Sequence, residues 1–521
     1  MKKQPLSPQI PKGRQVSVPA FFPSPVAGWN TRDPLTAMRP EYARVLENFY
    51  PTPSAITLRM GCESWRNTGK VSSFVQWNGA TSKLFTSTAG GFVDVTARYG
   101  NNTPVFAAPQ ADWSYCNMST IGGQFMVAVS GYSDVILYDG TTWKKLNSLS
   151  TPAITGVQAS QLSHCAVLRN RIWFVQKNSL DAWYLPAGQI AGELTKFPLG
   201  NFFSRGGYLV SCASWTLDDG KGNQELSVFV SSVGEVAVYS GTDPSTAGSW
   251  TLVGVFYVGA PLGKHCFAKF GGDLLLLCQT GLFPLSKAVQ SSTINYSQAL
   301  TAKIDPTFSE SAGKWGNLPG WGITVFPKGS ALLVNVPTSN GVVWQYVMNT
   351  LTGAWCKFTG WEAAAFTVFK SDLWMGDSTG VAKAWSTYQD RGQPITAVCR
   401  QAFTTMVHAG FRNPGVRKRV QMIRPLLTVD GTISAKIGLD TDYLENTQGS
   451  VVNLSSALGS LWGTAIWGAA KWGSGALTKR EWHSTLSRDF FSAGIFLSVS
   501  SPGASFTWAG TDLLVQKGGV L

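Results

Sequence analysis

The chain has 521 residues, enough for two or three domains of ordinary size or for one large β architecture with attachments. Charged residues make up only 14%, against about a quarter in an average soluble domain, which argues against charge-rich disorder and long coiled coils. The 55 Gly, 26 Pro and 21 Trp residues indicate many short strands joined by turns, and the formal net charge of +13 allows contact with nucleic acid or an anionic surface.

The N-terminal region predicts an extended arm over residues 1–55. Its first residues, MKKQPLSPQIPKGRQ, lack the apolar stretch of a secretory signal, and no apolar run in the chain reaches the ~20 residues of a membrane helix. We therefore expect a soluble protein made in the cytosol. Prolines recur through residues 1–30 and favour an arm that stays disordered or lies along a neighbouring subunit. Pro40, at the start of PEYARVLEN, predicts one short helix over residues 40–48.

A weak internal repeat occupies residues 56–395. Each unit has a turn, a short hydrophobic strand, a second turn with Gly or Asp, and another strand that ends near an aromatic residue. The first turns fall at positions 79, 122, 170, 222, 271, 329 and 371. A strand-based period of roughly 40–60 residues predicts a β-propeller with six or seven blades, whose stacking buries faces that one blade alone cannot bury. The alternative is an irregular series of β-sandwiches with evenly spaced turns.

The cysteines support this register. Cys116, Cys165 and Cys266 precede the turns of their units by a similar distance, so we expect them at one equivalent strand position, too far apart to form disulfides. We interpret them as small buried core residues. His164 and His265 each precede a cysteine directly, and adjacent strand residues point to opposite faces, so these pairs do not predict a metal site.

The repeat fades after residue 395, and we interpret residues 396–521 as a C-terminal β domain with the character of a sandwich. Asp430-Gly431, between apolar runs, predicts a hairpin. Trp462, Trp467 and Trp472 are each followed by glycine at a spacing that fits neither a helix nor a strand. This predicts a loop whose indoles either anchor a subunit interface or cap the domain's own core.

The sequence predicts no catalytic site, cofactor or metal. It contains no GxSxG elbow, no HExxH and no P-loop, and its acidic residues are scattered, mostly beside glycines in turns. A glycosidase needs two carboxylates about 5–10 Å apart across a cleft, and nothing in the sequence pattern indicates such a pair. We therefore expect that the chain is not an enzyme.

Residues 21–65 resemble the beginning of tail proteins from short-tailed, podovirus-like bacteriophages. Those proteins open with a Gly-Trp-Asn-x-Arg-(Asp/Asn)-Pro motif, followed by a segment like LxNFYP and then by Arg-x-Gly. The matching positions here are Gly28, Trp29, Asn30, Arg32, Asp33 and Pro34, then Leu46, Asn48, Phe49, Tyr50 and Pro51, then Arg59 and Gly61. The Trp-Gly triplet near the C-terminus is similar to that group as well.

The resemblance implies a tail nozzle, or tail hub: a propeller-bearing structural protein of the virion tail, in a ring of six copies below the portal and adaptor rings. Such a ring extends the channel, retains the packaged genome and conducts DNA at ejection. The implied partners are other copies of this chain, portal and adaptor (head-to-tail connector) proteins, tail fibre or needle proteins, packaged double-stranded DNA bound without sequence preference, and the host cell surface. Synthesis would take place in the host cytoplasm.

Two sets of residues are candidates for these contacts. A basic set either lines the DNA channel or pairs with acidic residues of the adaptor ring, and it consists of Arg412, Arg417, Lys418, Arg419 and Arg424. The candidates for the subunit interface are Trp29, Trp462, Trp467 and Trp472. The alternative function is a carbohydrate-binding or receptor-binding tail propeller, which predicts exposed tryptophans on one propeller face, whereas a structural ring predicts buried ones.

Overall fold

The computed structural model describes residues 17–218, 223–246, 248–289, 296–407, 415–447, 449–455, 477–484 and 489–517. Strands dominate these residues, and the α-helices among them are Leu285–Ala288 and Asp305–Trp315. Short 3-10 helices lie at Ala159–Gln161, Leu199–Asn201, Tyr296–Gln298, Leu300–Lys303 and Pro327–Gly329. In this part of the chain no helix combines the length and the apolar character needed to cross a membrane. The predicted all-β class is confirmed.

Seven antiparallel units of three or four strands follow one another along the chain. Their inner strands are Ser73–Trp77, Ser114–Thr120, Leu162–Leu168, Leu209–Asp218, Phe267–Phe270, Gly322–Phe326 and Ala365–Phe369. The second strands are Lys83–Thr88, Gly123–Val129, Arg171–Gln176, Asn223–Ser231, Asp273–Cys278, Ala331–Pro337 and Asp372–Gly376. The third strands are Gly91–Asp94, Val135–Tyr138, Asp181–Tyr184, Glu235–Gly241, Gly281–Pro284, Val343–Asn349 and Val381–Ala384. Fourth strands are Trp143–Leu146, Thr195–Pro198, Trp250–Tyr257, Trp355–Phe358 and, from the N-terminal region, Cys62–Arg66.

The repeat register that the sequence predicts agrees with these units. Each predicted turn position falls between an inner strand and a second strand, with position 222 itself outside the described residues. In the third unit Arg169 and Asn170 have φ of 50° and 55°, and in the seventh Lys370 and Ser371 have φ of 50° and 64°. Positive φ at both central residues of a two-residue turn matches the right-handed twist of the strands it joins.

The β-propeller class is confirmed, with a difference in blade count. Five units are separate sheets, and the sixth and seventh belong to a fifteen-stranded sheet that continues into the C-terminal region. The number of independent blades is therefore five rather than six or seven. The difference arises because the strand Tyr42–Glu47 pairs with Trp355–Phe358, and Gln389–Asp390 pairs with Cys62–Arg66, so the outer edges of these two units are joined to other strands.

All eight cysteines are buried and free, as the sequence predicted for Cys116, Cys165 and Cys266. The first two lie in inner strands and Cys266 directly precedes one, and Cys212 occupies a corresponding place in the fourth unit. Burial raises the pKa of the Cys266 thiol to about 12, so it stays protonated at neutral pH.

A β domain, defined here as residues 17–58 together with 389–517, adjoins the propeller. Its first sheet contains Ser17–Pro23, Phe49–Pro51, Ile56–Leu58, Lys418–Val429, Leu477–Lys479, His483–Ser484 and Phe506–Lys517. Its second group of strands, within the fifteen-stranded sheet, contains Gly28–Trp29, Tyr42–Glu47, Gln389–Asp390, Gln393–Gln401, Thr432–Thr441, Ser450–Ser455 and Ala493–Ser501. Buried side chains from both sheets belong to one hydrophobic core.

Three sequence expectations are wrong in this domain. Residues 17–55 contain four paired strands and are not a separate extended arm, and the first of these strands, Ser17–Pro23, pairs over its whole length with Phe506–Lys517 in antiparallel register. The stretch predicted as a helix is the strand Tyr42–Glu47, since its pairing with Gln393–Gln401 outweighs the helix propensity of its residues. Asp430-Gly431 joins Lys418–Val429 to a strand of the other sheet, so it forms a corner between sheets and not a hairpin.

Candidate functional sites: the joint, the funnel and the basic strand

The motif residues Asn48, Arg59 and Gly61 lie where the propeller meets the β domain. Arg59 is the centre of this region, which we call the joint, and its side chain is only 1% exposed. Its Nε donates to Asn48 Oδ1 at 2.7 Å, Nη2 donates to the backbone oxygen of Thr359 at 2.6 Å, and Nη1 donates to Asp390 Oδ1 at 3.0 Å. Trp361 lies under the guanidinium at 4.9 Å and donates from its Nε1 to the same Asp390 oxygen.

These contacts connect the beginning and the end of the propeller. Arg59 lies three residues before the start of the strand Cys62–Arg66, which pairs with Val381–Ala384 and completes the seventh unit. Asp390 lies after that unit, where the chain returns to the β domain. The Arg59–Asp390 ion pair therefore holds together the two chain segments that close the propeller ring.

Two positions of the motif have room only for glycine, because neighbouring backbone atoms occupy the place of a Cβ. Gly28 has φ of 85°, and a Cβ there would lie 2.7 Å from the backbone oxygen of Trp355. A Cβ on Gly61 would lie 2.1 Å from the backbone oxygen of Gln389. Any other residue at either position would push the two domains apart.

The first part of the motif fixes a turn of the β domain against the propeller. The Asn30 side chain, which is fully buried, donates from Nδ2 to Asp33 Oδ2 at 2.8 Å and accepts from the backbone N–H of Arg32 at 3.1 Å. Asp33 also accepts from Lys303 Nζ at 2.9 Å. The hydrogen bond from Asn30 and the contact with Lys303 lower the pKa of Asp33 well below its usual range.

Trp29 is not available to a neighbouring subunit, which corrects its prediction as an interface residue. It is 7% exposed, its Nε1 donates to the backbone oxygen of Arg44 at 3.1 Å, and its ring centroid lies 5.5 Å from that of Tyr346. The indole packs between the β domain and the sixth unit. Trp29 therefore holds two parts of one chain together and is not an interface residue between subunits.

The inner strands of all seven units line a central cavity of about 1020 Å³, which we call the funnel. Lys70, Lys264 and Lys269 bring positive charge to its wall, and Asp112 brings negative charge. Asp112 Oδ1 lies 2.8 Å from His265 Nε2, and Lys264 Nζ lies 3.5 Å from Asp112 Oδ2. Burial favours the neutral carboxyl, but His265 and Lys264 outweigh it and lower the pKa of Asp112 to about 2.

A second histidine lies deeper in the funnel wall. His164 is 9% exposed, and its Nε2 lies 3.1 Å from Ser211 Oγ. Burial lowers the pKa of His164 to about 3, so the imidazole is neutral at physiological pH.

Neither histidine pair of the funnel completes a nucleophilic triad among the described residues. The pair of Ser211 and His164 has the Cys212 Sγ, 3.8 Å away, at the other ring nitrogen rather than a carboxylate. The pair of Asp112 and His265 has a carboxylate but no serine or cysteine bonded to the imidazole. In the same part of the chain, no group of three or more His, Cys, Asp or Glu side chains is placed to hold a metal ion.

The predicted basic residues are spread along the strand Lys418–Val429 and its approach, away from the funnel lining. Lys418 is completely buried, where its Nζ donates to the backbone oxygen of Val416 at 3.0 Å, so it contacts neither DNA nor an adaptor. Arg419 is 55% exposed and pairs with Asp489 at 2.8 Å. Arg424 donates from Nη2 to Asp512 at 2.8 Å.

The remaining predicted site residues are placed as follows. Arg417 lies over the ring of Phe491, with its guanidinium carbon 5.3 Å from the centroid. Arg412 and the three tryptophans Trp462, Trp467 and Trp472 lie outside the described residues. Arg417 and Arg419 therefore lie together at the beginning of the strand Lys418–Val429. Lys418, between them in sequence, points into the domain and is buried.

Sequence reasoning missed the polar groups that meet only in three dimensions. Asp112 and His265 come from the second and fifth units, and Arg59 and Asp390 are separated by the whole propeller. The one available signal was the match of Arg59 and Gly61 to the Arg-x-Gly part of the motif, and it did not identify an acidic partner.

The described tryptophans are all buried or half-buried. Eighteen of the 21 lie within the described residues, and none of these has an exposed side chain. Trp173, for example, is fully buried and stacks on Trp250 with ring centroids 5.6 Å apart. Tryptophans thus pack units together rather than forming a platform on a propeller face.

No protein-family model matches this chain, and no curated protein matches it significantly. Solved structures resemble it at a distance. One is the extracellular domain of a hybrid two-component system from B. thetaiotaomicron, with 11% identity, a TM-score of 0.41, and coverage of 75% of this chain and 52% of that one. The chain thus spans about half of that domain.

Two further solved structures are similar at the same level. The β-propeller domain of Cps50 (Swd1) from Myceliophteria thermophila has 10% identity and a TM-score of 0.36, with 63% of this chain and 98% of that one covered. Raptor from Chaetomium thermophilum has 11% identity and a TM-score of 0.38, with 64% and 29% covered. Likenesses of this size carry no argument about function.

Proposed function

We propose that this chain is a structural protein of a short bacteriophage tail, in which six copies form a nozzle ring below the portal and adaptor. The ring would extend the DNA channel, retain the packaged genome and conduct it at ejection, without catalysis. The β domain and the propeller of each copy would act as one rigid body, because the joint fixes them to each other.

The observation that carries this proposal is the placement of the phage-tail motif. Its residues are not dispersed over the surface: Arg59, Asn48 and Gly61 make the joint, and Gly28 and Asn30 fix the adjoining turn. The motif therefore encodes the attachment of a propeller to a β domain. A protein that shares these residues in this spacing would share that attachment. The resemblance is therefore supported by the structural role of the matched residues as well as by their identity.

The burial of tryptophan favours a structural ring over a carbohydrate-binding propeller. A sugar platform needs exposed indole faces, and the described tryptophans instead pack between strands and units. The funnel wall mixes apolar residues with lysines, serines and one carboxylate. The second candidate function is sugar binding, and the funnel is the place in the described structure where it could occur. The funnel presents no exposed indole for a sugar to stack on, which makes this candidate weaker than the first.

The charge on the β domain suits non-specific contact with DNA or an acidic ring. Arg419 and Arg480 are more than half exposed, and their carboxylate partners Asp489 and Asp512 leave part of each guanidinium open to solvent. Exposed pairs of this kind are weak and exchange readily with phosphates or with another protein's carboxylates. Such contacts hold DNA without reading its sequence.

The first test is the mass of the purified chain, with and without an adaptor ring, followed by particle imaging. We expect a closed ring of six 56.1 kDa copies with a central hole. A chain that stays monomeric even in the presence of the adaptor ring would overturn the proposal and direct attention to ligands of the funnel.

The second test separates DNA contact from assembly. We expect that Arg417→Gln combined with Arg419→Gln leaves ring formation intact and weakens genome retention, because both side chains are charged and Lys418 is left in its buried position. The matched control is Arg98→Gln, which removes a comparably exposed arginine from the propeller. Retention equal to that of the control would exclude this strand from the DNA contact.

A further inference from the structure

The outer strands of four separate blades carry features that oppose pairing with strands of other chains, and Phe106 also bridges to the outer side of the first of them at Phe92. Their outer strands are Gly91–Asp94, Trp143–Leu146, Thr195–Pro198 and Gly281–Pro284. Each is four residues long and contains an aspartate, a lysine or a proline. Short length, charge and proline are the usual protection of a strand edge against other chains.

The remaining separate blade, which is the fourth unit along the chain, lacks this protection. Its outer strand Trp250–Tyr257 has eight residues, WTLVGVFY, with no charged residue and no proline. No charged residue occurs between Asp243 and Lys264. Val253 is 55% exposed, and among the described residues no strand pairs with the outer side of this strand. We call it the bare propeller edge.

The β domain has a second edge of the same character. The strand Ser450–Ser455, SVVNLS, also lacks charge and proline, and within the described part of the chain it pairs only with Thr432–Thr441. Val451 in this strand is 60% exposed. We call it the bare β-domain edge.

A second copy of this chain fits these two edges. Each copy has a net charge of +13, so two copies repel each other overall, and an uncharged strand lets copies approach without bringing like charges of that strand into contact. A strand without charged residues cannot form an ion pair with its partner. The partner is therefore recognised through main-chain hydrogen bonds and apolar side chains.

We propose that the bare propeller edge of one copy pairs with the bare β-domain edge of the next copy, so that a strand from each copy extends a sheet of its neighbour. The two edges differ, so the contact is head-to-tail, and such a contact closes into a ring when the rotation between copies permits. This inference rests on the proposed ring and names the contact that would form it.

The experiment uses the full chain and places a lysine on each edge separately. Val253→Lys and Val451→Lys introduce the protection that the other blades already have, at side chains that are exposed and leave the core intact. Thr251→Lys is an independent variant of the propeller edge at another exposed position. Ile121→Lys is the matched control, because it exchanges an exposed apolar residue for lysine at a hairpin tip, away from both edges.

We expect the wild type and Ile121→Lys to form the same ring by light scattering, and each edge variant to remain monomeric at the same concentration with unchanged thermal stability. An equimolar mixture of Val253→Lys and Val451→Lys should form a two-copy species, because one intact edge of each kind remains between them. Loss of the ring in both edge variants, together with this species, supports the inference.

Other outcomes separate the inference from the proposed function. A ring that persists in Val253→Lys and Thr251→Lys overturns the edge contact and leaves the nozzle proposal in place. An open, unclosed chain of copies that Val253→Lys abolishes would support the edge contact and overturn the closed ring. A wild type that is monomeric at every concentration, with or without the adaptor ring, overturns both.

Discussion

The joint and the funnel both gather polar side chains from distant parts of the chain, yet they differ in what those side chains contact. In the joint, all three guanidinium nitrogens of Arg59 donate to protein oxygens, and the side chain is closed off from water. In the funnel, Lys70 and Lys269 face a large open cavity and have no ion pair among the described residues. Positively charged side chains therefore stabilise the fold in the joint, whereas Lys70 and Lys269 stay available to solvent in the funnel.

The strongest way to test this difference is to remove the charge of the joint. We expect Arg59→Met to lower the free energy of unfolding by about 3–5 kcal/mol, because the change leaves the Asp390 carboxylate without its cation and the Thr359 carbonyl without its side-chain donor. Denaturant unfolding, followed by tryptophan fluorescence, measures the loss.

The control for the joint is an exposed ion pair on the propeller. Lys328→Met breaks the contact between Lys328 Nζ and Asp372 Oδ1, in which the lysine is 64% exposed, and should cost less than about 1 kcal/mol. A loss for Arg59→Met no larger than for Lys328→Met would mean that the joint is not a stabilising centre.

A second prediction concerns the buried histidine behind the funnel wall. Because the folded pKa of His164, about 3, lies below the ordinary value of 6.5, the unfolded chain binds an extra proton between these values, and stability falls as pH decreases through that window. The loss from this group between neutral pH and pH 4 is about 3 kcal/mol.

The variant His164→Gln can keep a hydrogen bond to Ser211 and cannot titrate in this range. Unfolding free energies at pH 7 and pH 4 should therefore differ less in the variant than in the wild type. A variant that retains the full acid loss would assign that loss to other groups, such as the paired carboxylates.

The smallest effect is expected in the funnel itself. Asp112→Asn removes the charge that faces His265 and Lys264, but the Asp112 side chain is 50% exposed and water screens the pair. We expect a change of less than about 1 kcal/mol in the free energy of unfolding, from the same denaturant titration. A loss as large as that of Arg59→Met would remove the contrast between the two regions.

The propeller was predictable from sequence because its information is local. Each unit has its own turn chemistry, and the turns at Arg169-Asn170 and Lys370-Ser371 need only their two residues to determine the geometry. The strand Tyr42–Glu47 was not predictable in this way. Its residues favour a helix when taken alone, and its partner Gln393–Gln401 lies beyond the whole propeller in the sequence.

The candidate sites were predictable only where the motif contained them. Arg59 and Asn48 were named from the resemblance, but Asp390, the acidic partner of Arg59, has no local pattern that distinguishes it from other acidic residues in turns. Lys418 shows the opposite case: a run of basic residues suggested exposure, while strand alternation placed the middle residue inside the domain.

The antiparallel pairing of Ser17–Pro23 with Phe506–Lys517 has a consequence for how the chain folds during translation. The first strand of the β domain leaves the ribosome almost a full chain length before its partner exists, and it has to wait while the propeller units are made. The β domain can therefore be completed only after Phe506–Lys517 has been made, so a nascent chain that lacks this strand would expose unpaired N-terminal strands to chaperones and proteases.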